Sequence, residues 1–383
     1  MSTGLETKEQ LFDVMEQIAA EREAARPIVE RLVTGGEPVD DIEIPEGWRT
    51  AGFVQELSET AGNICETNPL RSLPLQHLAL VLAMRIPESS YPPPISARLK
   101  GNAWKEIAWV HLYQNAYEAC LRACNAAQRV FAEENTLLHD QARVALTRSY
   151  AFTFVRRDEE ALRTIQECAE IFCSFGDEDR ISITKQAKAL VHQNRGELDF
   201  ACSQYEELLR RYEKTDKIHI LAWLYNNLGE AYALLGRLSD AVVALQRARE
   251  LHAELGLTTD KPDWGLAHVL LAKGEFERAV NLLERLRVNF LARRMPEDAG
   301  LVGLDVVEAL IATDKMKEAR SLTEQIITEF RNADLNERAI EALAYLRDLL
   351  PRTETPRKAV QHVRSYVDRL RSEPALLFLP LED

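Results

Sequence analysis

The stretch that decides the fold begins at Tyr225: Tyr225-Asn226-Asn227-Leu228-Gly229-Glu230-Ala231-Tyr232, then Gly236-Arg237-Leu238-Ser239-Asp240-Ala241, then Leu245 and Ala248. Tyr225, Leu228 and Tyr232 recur at helical spacing, so they share one face of a helix. Gly236 ends that helix, because glycine accepts the left-handed conformation of a helix terminus. A second helix starts within a few residues. Small side chains at Gly229, Ala241 and Ala248 let the two helices approach closely, and Tyr225, Leu228, Tyr232 and Leu245 fill the seam.

The same frame recurs along the chain. The small residue opening each second helix stands at Cys120, Ala161, Ala201, Ala241, Ala279, Ala319 and Ala359, at intervals of 41, 40, 40, 38, 40 and 40 residues. The preceding turn recurs as well, in Asn115-Ala116-Tyr117-Glu118, Arg157-Asp158-Glu159-Glu160, Gly196-Glu197-Leu198-Asp199, Gly274-Glu275-Phe276-Glu277 and Asp314-Lys315-Met316-Lys317. Fixed-period self-similarity marks a chain built from stacked units, each burying its apolar face on its neighbours. Long runs are rich in Ala, Leu, Glu and Arg, the strong helix formers, and no run shows sustained β-branched alternation. The expected fold is all-α: a right-handed α-solenoid of antiparallel helix pairs.

Residue by residue, Tyr225, Leu228-Gly229, Tyr232, Ala241, Leu245 and Ala248 resemble the large–small pattern of the tetratricopeptide repeat family. The unit here is about 40 residues against the family's 34. Six extra residues shared by two helices lengthen each by roughly 4–5 Å, which predicts a deeper groove. Regulatory members with such long units include bacterial peptide-sensing regulators and kinesin light chains. The other repeats depart at the Leu-Gly position, which becomes Ile107-Ala108, Arg148-Ser149, Leu266-Ala267 and Val306-Val307. Resemblance to the family implies a peptide-binding concave face lined by first helices. The positions it selects are Lys105, Trp109 and Tyr113, then Arg143, Tyr150 and Phe154, then Gln186, Gln193 and Asn194. Farther along it selects Trp223, Asn226, Asn227 and Glu230, then Trp264 and His268, and finally Asp305 and Glu308. Asn226-Asn227 resembles the paired polar positions with which such grooves hold a peptide backbone, since one amide both donates and accepts. Trp104 is expected in the core.

Composition narrows the function. The 383 residues carry 47 Lys and Arg against 61 Asp and Glu, a formal charge of −14, which disfavours nucleic acid as the main ligand. Arg352 to Arg371 gathers positive charge and reads as the solvated face of a last helix. No segment approaches the roughly 20 apolar residues of a membrane helix, and Met1-Ser2-Thr3-Gly4-Leu5-Glu6 begins no secretory signal; a soluble, cytoplasmic protein is expected. The six cysteines show no Cys-x-x-Cys pair or zinc spacing and read as small buried residues. No phosphate-binding glycine loop, His-Glu-x-x-His or Gly-x-Ser-x-Gly occurs, and the eight histidines are scattered. Catalysis, a cofactor and a metal are therefore not expected.

Four segments are expected. Residues 1–48 hold one helix over 7–33, stopped at Gly35-Gly36, and a linker from Pro38 to Trp48. Residues 49–95 hold a degenerate pair, Phe53–Thr67 and Leu73–Ile86, and a stiff connector, Pro87 to Pro94, that separates it from the array. Residues 96–371 form about seven helix pairs, the last being Glu337–Leu350 and Pro356–Arg371. Residues 372–383 form an apolar tail whose Leu376 to Leu379 cap the final repeat or, alternatively, dock a partner. The leading functional expectation is a non-catalytic scaffold or adaptor that captures a protein or peptide in its groove. The alternatives are a signal-responsive regulator of a transcription or phosphorelay factor, or a regulatory subunit of a larger enzyme complex.

Overall fold

The computed structural model describes residues 8–35, 39, 43–134 and 136–381. Gly36, the Pro38 end of the linker and Glu382-Asp383 lie outside them, as does the segment Met1 to Glu6. Among the described residues the regular structure is helical: α1 (Lys8–Thr34), α2 (Ala51–Asn63), α3 (Pro69–Arg85), α4 (Pro93–Tyr113), α5 (Tyr117–Ala132), α6 (Leu138–Phe154), α7 (Asp158–Ser174), α8 (Glu178–Asn194) and α9 (Leu198–Tyr212). Then follow α10 (Ile218–Leu234), α11 (Leu238–Glu254), α12 (Asp260–Ala272), α13 (Phe276–Ala292), α14 (Pro296–Ala312), α15 (Met316–Asn332), α16 (Glu337–Leu349) and α17 (Pro356–Leu370). Consecutive helices pack on one another, as in an α-solenoid. Residues 1–152 with 157–184 form one compact unit, and residues 153–156 with 185–383 form a second.

One local device repeats. Asn115, Arg156, Gly176, Gly196, Gly236, Gly256, Gly274, Arg294, Asp314 and Asp334 all adopt positive φ, between 52° and 80°. Each lies just past a helix, and each time the following N–H reaches back to the carbonyl five residues earlier, as Arg237 N does to Tyr232 O at 2.9 Å and Lys315 N to Leu310 O at 2.9 Å. This is the Schellman closure, which satisfies carbonyls the helix leaves open. From Arg156 onward the left-handed positions stand about 20 residues apart or at twice that spacing, so the turn itself carries the period of the chain.

Packing follows from the same period. All seven anchors, Cys120, Ala161, Ala201, Ala241, Ala279, Ala319 and Ala359, are fully buried. At Gly229 an added Cβ would stand 2.6 Å from Leu245 Cγ, so α10 and α11 touch through bare backbone there. Five of the six cysteines are buried, as expected, but Cys173 is exposed. Trp104 is half-buried rather than in the core.

In the first unit α1, α2 and α3 share a core that also takes in Tyr91 and Leu99. The Pro87–Pro94 stretch is pinned rather than free. The Tyr91 hydroxyl donates to Glu21 Oε1 at 2.6 Å and accepts from Ala51 N at 3.0 Å, at the first residue of α2. Burial and the Glu21 carboxylate push that phenol up to about 12. Arg22 adds a pair of bonds to Glu56, from Nε at 3.1 Å and Nη2 at 3.0 Å.

In the second unit the last helices depart from a regular pair. α16 packs on α15, while α17 packs on both α16 and α14. Residues 374–381 then lie over this end as a cap. Phe378 sits among Tyr345, His362 and Tyr366, with ring centroids 5.1, 5.5 and 4.9 Å away. Tyr366 donates to Leu376 O at 2.9 Å, and Leu381 N donates to the Tyr345 hydroxyl at 3.2 Å. The extended tail alternates: Leu376 and Phe378 face the core, whereas Leu377 and Leu379 are exposed.

Gly236 tests the turn as a backbone requirement, because an added Cβ there meets nothing within 4 Å. Gly236→Ala is expected to cost about 1–2 kcal/mol, the left-handed penalty of a Cβ, whereas Arg294→Gly is neutral or stabilising by up to about 1 kcal/mol. Urea midpoints of the two variants measure both; equal midpoints would show that the turns carry no strain.

Candidate functional site

The selected side chains fall into a set in each unit. In the first unit Lys105, Trp109 and Tyr113 lie on α4, and Arg143 and Tyr150 on α6. Trp109 and Tyr150 meet edge to face, with centroids 6.4 Å apart and planes at 77°. Lys105 Nζ pairs with Glu106 Oε1 at 2.5 Å. Arg143 Nη1 reaches Asp140 Oδ1 at 3.4 Å, and Asp140 also accepts from Arg98 Nε at 3.0 Å. Tyr113 donates to Glu66 O at 2.9 Å, which ties the end of α4 to the turn after α2. Arg180 on α8 belongs to this set and was not among the residues the sequence selected. Burial lowers the pKa of both Lys105 and Arg180, and each is lowered further by Arg143. Burial pushes the Tyr150 phenol up.

In the second unit α10 presents Trp223, Asn227 and Glu230, all half-buried, on one face, while Leu224, Asn226, Leu228 and Gly229 between them are buried. Asn226 is turned inward: its Nδ2 donates to Glu230 Oε1 at 2.9 Å. The two asparagines therefore differ in role, one positioning Glu230 and the other facing outward. Burial raises the Glu230 pKa, opposed by the Asn226 hydrogen bond and by the charges of Lys261 and His268. Gln186 and Gln193 are buried, and Gln193 accepts from the Tyr205 hydroxyl at 3.2 Å, so it faces the partner helix α9. Asn194 Nδ2 reaches Thr153 O at 3.4 Å. Phe154 is exposed.

Trp264, His268, Asp305 and Glu308 are brought together, but by α17. Asp305, 2% exposed, accepts from Trp264 Nε1 at 2.7 Å, His268 Nε2 at 2.9 Å and Arg364 Nε at 2.5 Å. Arg357 reaches Glu308 at 2.9 Å and Arg371 reaches Asp298 at 2.7 Å. Partners on α17 rise in number as those on α14 fall, so the two helices run antiparallel. The arginines are seven residues apart, two turns of one helix face. The expected solvated basic face is thus, at these three positions, an ion-paired seam. Burial alone would raise the Asp305 pKa; Arg364, His268 and the Trp264 hydrogen bond overcome it and hold the carboxyl at about 2.

No group of three or more His, Cys, Asp or Glu able to hold a metal ion occurs among the described residues, and no helix there is long and apolar enough to cross a membrane.

Residues 180–254 match the tetratricopeptide repeat family, which covers α10 and α11 and the stretch from Tyr225 to Ala248. No curated protein matches the chain. Among solved structures, it resembles NprR in complex with its cognate peptide NprX at 15% identity and a TM-score of 0.57, over 94% of this chain and 99% of that one. The Rap conjugation gene regulator of plasmid pLS20, in complex with the Phr* peptide, is similar at 12% identity and a TM-score of 0.57, over 78% and 82%. A Rap protein complexed with competence and sporulation factor is similar at 11% identity and a TM-score of 0.53, over 92% and 99%. At such identities the likeness establishes the fold: a tetratricopeptide-type helical repeat.

The Asp305 hub gives a direct expectation. Its folded pKa is depressed, so its stabilisation is complete above the ordinary aspartate value of 3.8 and is lost as pH falls through about 2. Asp305→Ala is expected to cost about 1–3 kcal/mol at neutral pH, because it leaves Trp264 Nε1 and the half-buried Arg364 without their shared acceptor. Hydrogen exchange should show α17 opening first in the variant; unchanged protection of α17 would show that the hub does not hold it.

Proposed function

We propose that this protein is a non-catalytic regulator that works by binding a polypeptide along first-helix faces. The observation carrying this reading is the stripe Trp223, Asn227 and Glu230 at i, i+4 and i+7 on α10. A tryptophan, an amide and a carboxylate, all half-buried, share one face of the helix, while Leu224, Asn226, Leu228 and Gly229 between them are buried. Trp is a residue type that often dominates binding energy. The Asn227 amide can pair with a peptide N–H and carbonyl whatever the ligand's side chains, and Glu230 is held in place by Asn226. The solved structures it resembles include peptide complexes, which favours a peptide-responsive regulator over a passive scaffold. In the second unit the surface ends where α17 covers Asp305 and Glu308.

The test uses rhodamine-labelled pools of nine-residue peptides and fluorescence anisotropy against the full chain. Replacing Trp223 and Asn227 together by Ala should weaken binding at least tenfold, as the loss of one hot-spot side chain does, with circular dichroism unchanged. Equal binding by the variant would sink the groove reading.

A further inference from the structure

The end of the second unit already holds an extended peptide, its own. Beyond α17 the chain turns and then runs without regular structure from Leu376 to Leu381. Side chains of α16 and α17 grip this segment by its backbone. Pro374 O accepts from Asn336 Nδ2 at 3.0 Å, and Arg338 Nη1 donates to Ala375 O and, at 3.1 Å, to Leu376 O. Leu376 O also accepts from the Tyr366 hydroxyl, and Leu379 O accepts from His362 Nε2 at 2.7 Å. The Tyr345 hydroxyl accepts from Leu381 N. Among the described residues no backbone–backbone hydrogen bond ties residues 374–381 to either helix. Side-chain grips of this kind hold any extended chain, because every residue but proline offers the same carbonyl and N–H.

Selectivity comes from alternate side chains, as along a strand. Leu376, Phe378 and Leu381 pack on the core, and Phe378 enters the box made by the rings of Tyr345, His362 and Tyr366. All three are only half-buried, whereas Leu343, Val360 and Val363 of the helices themselves are fully buried. The outward Leu377 and Leu379 are 71% and 74% exposed, and residues 374–381 carry no charge. A short segment with shallow anchors and no backbone ladder belongs to the part of a fold that opens locally at least cost.

We propose that the α16–α17 face is a second peptide site, separate from the α10 stripe, and that residues 374–381 fill it in cis until a partner polypeptide displaces them. The resident segment specifies the ligand: an uncharged, extended stretch of the pattern Leu-x-Phe-x-x-Leu, free at the outward positions. The tether sets the threshold that a ligand must beat, because it holds the resident at an effective concentration of about 1 mM. A second copy's identical segment has no tether, so it loses to the resident at ordinary concentrations. A partner segment that adds contacts of its own wins.

Anisotropy of a fluorescein-labelled peptide of residues 374–383, titrated with the full chain, tests this. Wild type, whose own segment competes, should bind weakly. Phe378→Ala, which unseats that segment, should bind the same peptide about tenfold more tightly or better. A peptide carrying Leu377→Ser and Leu379→Ser should bind that variant equally well, and a peptide carrying Phe378→Ala should lose about tenfold or more. The Trp223→Ala, Asn227→Ala chain should behave as wild type, so this site and the α10 stripe stand or fall separately. Should circular dichroism show that Phe378→Ala does not fold, Leu376→Ala makes the same comparison. Equal binding by wild type and the unseated variant, or binding that follows the outward leucines rather than the phenylalanine, shows a fixed cap and overturns the proposal. A dimer of wild type with Phe378→Ala in sedimentation velocity also overturns it, because the occupant is then a second copy.

Discussion

The structure depends on one backbone event repeated ten times among the described residues: a helix stops on a single residue in the left-handed conformation and closes its open carbonyls with the N–H that follows. That closure reverses the chain in three residues, so the next helix must run antiparallel to the last and start at a fixed distance from it. Helices of 17 residues recur from α6 onward, and a 17-residue helix plus its turn gives the 20-residue half-period. The buried alanines are a consequence. Once the turn fixes where the second helix begins, its first inward position is fully buried and holds a small side chain. Glycine is the cheapest residue for the left-handed position, yet half of the ten sites are Asn, Asp or Arg. The array therefore tolerates strain of about 1 kcal/mol at a turn, because packing on both sides over-determines the conformation.

This division of labour explains what the sequence revealed. Anchors, turn glycines and the Tyr225–Ala248 pattern are local, and local features of fixed period survive in a one-dimensional reading. Trp223, Asn227 and Glu230 share one face of α10 because helical spacing alone decides which side chains share it. Asn226 does not, because one residue is about 100° of helix rotation. That step turns it from the outward face to the inward one, where it holds Glu230. Gln193 was displaced for a related reason: it faces the hydroxyl of Tyr205 on α9, a contact set by the crossing of two helices rather than by either alone.

What stayed hidden was tertiary. Arg357, Arg364 and Arg371 looked like a solvated face because charged residues at helical spacing usually are one. Their partners Glu308, Asp305 and Asp298 lie in another helix, and only the path of α17 onto α14 joins the two sets. A seven-residue spacing of arginines and the matching step from Asp298 to Asp305 were both present, but nothing local said the two helices would meet antiparallel. Arg180 was missed similarly. On its own helix it is one more surface arginine, whereas Arg143 and Lys105, whose charges bear on it, lie on two others.

Net charge and local charge then separate. A formal charge of −14 describes the field felt far from the surface, and salt screens that field over about 8 Å. Half-buried charges a few ångströms apart are screened far less, so a cationic cluster inside a strongly acidic chain keeps its own sign at close range. The whole-chain field slows the approach of acidic partners and repels polyanions most, because repulsion grows with every charge the partner carries.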